Sequence, residues 1–214
     1  MSNEQHDIVL NGDAIEKVDK FVFLGSTVPS VTDDVKRRTT LAAWAFGRLK
    51  SKIWTNQSIT RSLKVRIYKA LILPIATYGC ETWALRKADL TRLESFEMRC
   101  LRAIAGVHLL DRIRSENIRH SLNITRSIGQ KITSRRMKWF GHVIRMPEHR
   151  LPHKAYNNDF NTARPPGRPP LRWKDQLRSD TGLSLETIEN QAKDRGGWRS
   201  ITRRSAKGHT VLRP

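Results

Sequence analysis

Cysteine is nearly absent: the 214 residues hold only Cys80 and Cys100. Two thiols exclude a disulfide scaffold and suit a reducing compartment better than an oxidising one. They also lie too far apart for a short Cys-x-x-Cys zinc knuckle. No apolar run approaches the roughly 18 to 20 residues of a membrane-spanning helix; the longest, Ala70 to Tyr78, is short and contains Pro74. The N-terminus lacks the basic-then-apolar pattern of a secretory signal, so export is not expected. No Walker loop, dinucleotide fingerprint or nucleophile motif is present. Acidic pairs are scarce as well: Asp33-Asp34 is the single adjacent pair. It follows Thr32, where a helix is expected to begin, and reads as a complement to the helix dipole rather than as a metal site. His142, His149 and His153 have loose metal-like spacing but no thiolate partners, so neither a metal nor another cofactor is expected.

Positive charge is abundant. Forty Lys and Arg face twenty Asp and Glu, a net charge of +20, and the isoelectric point is near 10.9. Self-repulsion of this size favours a polyanionic partner, either nucleic acid or an anionic surface. The charge is also uneven. Residues 1–34 carry 2 basic and 7 acidic side chains, a net of −5, and the rest of the chain is at +25. Apolar residues make up 38% and the mean hydropathy is −0.56, so part of the length is expected to pack poorly.

Residues 7–26 read as a β-hairpin, with Asn11-Gly12 supplying the positive-φ pair of a tight turn and FVFLGS closed by Gly25. A helix is expected from Thr32, with Val35, Ala42, Ala45, Phe46, Leu49 and Ile53 on one stripe. A second begins near Ser58 or Thr60, with Leu63, Ile67, Ala70, Leu71 and Pro74 sharing a face. A third runs from Ala88 to Ala105 and stops at Gly106; its inward face is Leu90, Leu93, Phe96, Cys100, Leu101 and Ile104. Beyond it lie a short helix over 115–122, a longer basic one over 127–146, a Pro- and Arg-rich tract, and an amphipathic segment from Ser184 to Arg204 interrupted at Gly196-Gly197.

The strongest binding signal lies in residues 131–178, with 12 basic and 3 acidic side chains interleaved with Trp139, Phe140, Tyr156 and Trp173. Lys and Arg neutralise phosphates, and aromatic rings can stack on unpaired bases. Trp139 and Phe140 sit in an apolar-periodic helix and read as core; the Arg side chains around them read as phosphate contacts. Arg164-Pro165-Pro166-Gly167-Arg168-Pro169 resembles the minor-groove AT-hook core, but Pro166 replaces its first Arg, so a flexible basic linker is the default.

Taken in order, FVFLGSTV, VKRRTTLAAWAFGRLKSKIW, KVRIYKALILPIATYGCETWAL, RLESFEMRCLRAIAGV, RRMKWFGHVIRM, GRPPLRW and AKDRGGWR resemble the segment after the palm of RTE-like and related non-LTR (LINE-type) retrotransposon reverse transcriptases. The resemblance runs from about Asp7 to Arg199. It implies that Phe21, Phe23, Leu24 and Gly25 occupy a primer-grip strand, with Phe23 where that family has Tyr. It also implies that the following helices form a thumb holding a template–primer duplex by its backbone. The palm's Asp-Asp motif, the fingers and the endonuclease domain of that family have no counterpart in this sequence. The chain is therefore expected to be non-catalytic as it stands, without the ligands for the two divalent ions of the parent polymerase, and Met1 is expected to open a truncated frame.

The expected fold is mainly α: a β-hairpin over 1–30 as a residual palm edge, a thumb-like helical bundle over 31–110, a basic helical region over 111–150, and a partly disordered linker with a C-terminal helix over 151–214. The expected function is template–primer binding by a non-catalytic fragment of an RNA-directed DNA polymerase. The alternatives are a non-functional transposon remnant or a domesticated basic DNA- or RNA-binding protein. The expected partners are RNA and DNA, as RNA–DNA hybrid or duplex DNA, with no membrane, and the expected location is the nucleus or cytoplasm. The expected phosphate contacts are Arg37, Arg38, Arg48, Lys50, Lys52, Arg135, Arg136, Lys138, Arg145, Arg164, Arg168 and Arg172.

Overall fold

The computed structural model describes residues 9–11, 13–158 and 171–205. The fold is mainly helical with a small β portion at its N-terminal end. Strands β1 (Val9–Leu10) and β2 (Asp13–Ala14) pair antiparallel, with Asn11 at φ 52° in the turn between them. The single hairpin expected over 7–26 is in fact two. Strand β3 (Phe21–Phe23) pairs with β4 (Ser26–Val28), Phe21 opposite Val28. Leu24 and Gly25 are therefore the turn, both at positive φ (46° and 85°). Gly25 accepts that backbone without a Cβ penalty, and Ser26-Thr27-Val28 is β-branched enough to return as a strand.

Helix α1 (Val31–Arg48) is capped by Ser30, which accepts the Asp33 N–H at 3.2 Å. Thr32, where the helix was expected to begin, instead donates to Asp89 at 3.1 Å. A wide π turn, Lys50–Trp54, comes next. Helix α2 (Arg61–Ile67), capped by Thr60, runs through a second π turn at Tyr68–Ile72 into α3 (Leu73–Ala76). The inward face here is Val65, Tyr68, Ile72 and Ala76, while Leu63 and Leu71 are exposed, so the expected stripe lies on the wrong face. Tyr68 offers more area to bury than either leucine, and the π turn rotates the residues after Tyr68 about the helix axis.

Helix α4 (Lys87–Ala105) ends at Gly106, at φ 71°, as its sequence predicts. Helices α5 (Ser115–Ser121) and α6 (Ile128–Ile144) come after it; Ser127 and Gln130 close a capping box on α6, satisfying donors that a helix start leaves open. Then come α7 (Leu151–Asn157), α8 (Trp173–Thr181), α9 (Leu185–Lys193) and α10 (Arg195–Ser205). The single interrupted C-terminal helix is thus α9 and α10, with α8 preceding them. Gly196 and Gly197 lie in the first turn of α10, and the break falls at Asp194, whose carboxylate accepts both glycine N–H groups at 2.9 and 2.8 Å.

Apolar side chains gather in two clusters. The first holds Val35, Tyr68, Leu93, Phe96, Leu101 and Ile104 with their neighbours and reaches Ile132. The second runs from Met137 to Ile201 around Phe140, Leu177, Ile188 and Trp198. Each fully buried aliphatic or aromatic side chain contributes about 1.5–3 kcal/mol. Helix α6 belongs to both clusters and joins them. Around Phe140 stand Tyr156, Trp173 and Trp198, with ring centroids 5.4–6.0 Å away. Trp139, Phe140, Tyr156 and Trp173 are therefore core material in this arrangement.

Candidate nucleic-acid interface

The expected phosphate contacts divide by what the fold does with them. Arg38 is buried, and its guanidinium donates to the Gly25 carbonyl, pairs with Asp34 and lies 4.2 Å from the Tyr78 ring centroid. Arg37 donates to the same carbonyl at 2.8 Å, and the Tyr78 hydroxyl donates to Leu24 O at 3.1 Å. These contacts fasten the β3–β4 turn to α1. Phe21, Phe23 and Leu24 remain exposed on that turn and its strand.

Arg136 is corrected most sharply. It is 1% exposed, donates to the Trp83 carbonyl at 3.1 Å and pairs with Asp180. It holds α8 and the Trp83 segment to α6 and has no surface to offer a phosphate. Arg38 is removed from the footprint for the same reason. Arg135 is exposed but donates to Thr77 O and Oγ1 at 3.0 and 2.9 Å. Arg145 donates to the Ala192 carbonyl. Arg48, Lys50, Lys52, Lys138 and Arg172 are exposed. Arg164 and Arg168, and with them the AT-hook-like tract, lie outside the described residues.

Asp34 carries structure, not only dipole complementation. It is buried and accepts the Thr27 N–H and the Trp83 indole N–H, both at 3.0 Å. Asp33 pairs with Lys20 at 2.7 Å. Glu97 is fully buried on the inward side of α4 and is met by Arg119 at 3.0 Å and Lys131 at 3.5 Å. Burial lowers the Lys131 pKa, and Glu97 opposes that shift. Burial likewise pushes the Cys80 thiol up to about 11 and the Cys100 thiol up to about 12. Both cysteines are free and buried, which suits packing rather than nucleophilic chemistry.

An open groove of about 1890 Å³ lies between the end of α1 with its π turn, the start of α2, helix α4 and the α4–α5 connection. Lys50, Arg61, Lys64, Arg99, Arg102 and Arg119 line it, against Glu94 and Glu116. Lys64 donates to the Trp54 carbonyl at 2.8 Å, and Arg119 is committed to Glu97. Lys50, Arg61 and Arg99 are exposed and Arg102 is half-buried. Below them Phe46 and Trp54 stack with centroids 4.4 Å apart, and the Trp54 N–H donates to Phe46 O at 2.7 Å. Cations above a rigid apolar floor provide a seat for a polyanion. Sequence reading found Lys50 but missed Arg61, Arg99 and Arg102. Arg99 and Arg102 sit three apart on the polar side of α4, and that spacing was the available signal.

Among the described residues no group of three or more His, Cys, Asp or Glu side chains could hold a metal ion, and no helix is long and apolar enough to cross a membrane. No protein-family model matches the chain. No solved structure matches it. It is 26% identical over 205 residues to an uncharacterized transposon-derived protein of Caenorhabditis elegans, a match that covers 89% of this chain and 72% of that protein. This similarity points to a transposable-element origin in general.

Proposed function

We propose that the chain binds nucleic acid as a non-catalytic, thumb-like piece of a non-LTR retrotransposon reverse transcriptase. The observation that carries the proposal is the groove, where Lys50, Arg61, Arg99 and Arg102 come from three different elements to one concave surface. Convergence of cations from distant segments onto one cleft concentrates positive potential there. The ordered motifs and the transposon-derived relative support the assignment to a mobile element. The fastened β3–β4 turn supports a primer-grip role for Phe21, Phe23, Leu24 and Gly25, because Arg37, Arg38 and Tyr78 hold it rigidly while its apolar side chains face outward. Asp34 is committed to Thr27 and Trp83, which supports a role in binding rather than in two-metal transfer chemistry.

The test is affinity for RNA–DNA hybrid, duplex DNA and single strands across a salt series. Tight, saturable binding with preference for the hybrid supports a template–primer module. Weak binding, alike for every polyanion and gone by physiological salt, contradicts it and favours a non-functional remnant.

A further inference from the structure

Among the six tryptophans, all within the described residues, Trp54, Trp83 and Trp198 are buried, and Trp139 and Trp173 pack partly buried against the second cluster. Trp44 stands apart at 63% exposure, on the outer side of α1. Its ring is not bare: the Arg48 guanidinium, one turn on, lies 4.7 Å from its centroid. Exposed Lys36 and Thr40 fall on the same side of the helix at helical spacing. Gly47, three residues past Trp44 on α1, lines the groove, as does Lys50 in the π turn that follows, and a Cβ at Gly47 would meet nothing within 4 Å.

We infer that Trp44, braced by Arg48, is a stacking platform for an unpaired base at the mouth of the basic groove, so that the nucleic acid bound there has a single-stranded segment. The inference rests on the nucleic-acid reading and narrows it. An indole left 63% exposed gains little from burial, whereas its face can stack on any base. A guanidinium held against the other side keeps the ring oriented and adds charge beside the phosphates. Duplex DNA keeps its bases stacked on one another and offers no such partner except at an end. The positive charge of Arg48 beside the ring, with that of Lys50 in the adjoining groove, favours a polyanion over an apolar protein surface.

The test compares the full chain with Trp44→Ala and Trp44→Phe, binding a single-stranded oligothymidylate and a blunt duplex of equal length. Trp44→Ala is expected to weaken oligothymidylate binding about tenfold and to change duplex binding by less than about twofold, with Trp44→Phe close to the parent. Part of the tryptophan emission is also expected to be quenched by oligothymidylate in the parent and not in Trp44→Ala. Unchanged oligothymidylate affinity and quenching in Trp44→Ala, while the parent binds both nucleic acids, overturns the stacking role and leaves the groove proposal standing. A parent chain that binds neither nucleic acid overturns both. If Trp44→Ala instead abolishes self-association at unchanged oligothymidylate affinity, the face belongs to a second copy of the chain and the inference fails.

Discussion

The indole of Trp198 lies directly on the backbone of α6 at Gly141, so close that a methyl group at that glycine would overlap ring atoms Cδ1 and Nε1. The same indole donates to the Met137 carbonyl at 2.8 Å, one turn earlier on α6. Glycine at 141 is therefore what allows α10 to seat on α6 and close the second cluster.

Gly141→Ala is expected to lift Trp198 out of that seat and to destabilise the second cluster by about 1–3 kcal/mol, the usual cost of overpacking. Near-ultraviolet circular dichroism during thermal unfolding checks this. A spectrum and melting temperature equal to the parent's would contradict it.

Arg136 and Arg99 are expected to respond in opposite ways to substitution. Arg136→Met leaves Asp180 buried without its cation, in a site where burial already raises the Asp180 carboxyl above its ordinary range. The loss is expected to be about 3–5 kcal/mol of stability. Arg99→Ala, at an exposed position, is expected to leave unfolding within about 0.5 kcal/mol of the parent and to weaken nucleic-acid binding. Denaturant titration together with binding separates the two.

Asp194 predicts a pH dependence. The N–H groups of Gly197 and Gly196 hold its carboxyl below its ordinary value of 3.8. A carboxyl depressed in the folded state contributes stability that is fully present above the unfolded value and is lost as pH falls through the folded one. The start of α10 is thus expected to loosen only in that acid window, read by Trp198 emission. Asp194→Asn, which removes the titrating group, is expected to flatten this step.

The fold was legible where local rules act alone. Helix α4 and its stop at Gly106 follow from apolar spacing and one glycine, the Asn11 turn follows from its dipeptide, and Phe140 follows from its place on an apolar stripe. The missed features depend on partners distant in sequence. Glu97 sits among apolar positions on α4 because Arg119 and Lys131, 22 and 34 residues later, neutralise it. Arg136 looks like any basic residue until Trp83 and Asp180 are brought to it. The inward face past Tyr68 was misread because a π turn changes the periodicity that sequence reading assumes to be constant. The groove was invisible for the same reason as Glu97: its cations lie far apart in sequence.

Cys80 and Cys100 give a simple check on the first cluster. With both thiols buried and raised to about 11 and 12, a disulfide reagent at neutral pH is expected to modify them slowly in the native chain and rapidly in denaturant. Fast native reaction would mean that the cluster is open.

The most direct test of the central claim is the salt dependence of nucleic-acid binding by the full chain and by a variant with Lys50, Arg61, Arg99 and Arg102 all changed to alanine. If the groove is the footprint, the log–log slope for duplex DNA is expected to flatten by about 0.9 for each phosphate no longer neutralised, about 3 to 4 in total. An unchanged slope in a variant that unfolds like the parent would place the bound nucleic acid elsewhere and contradict the account.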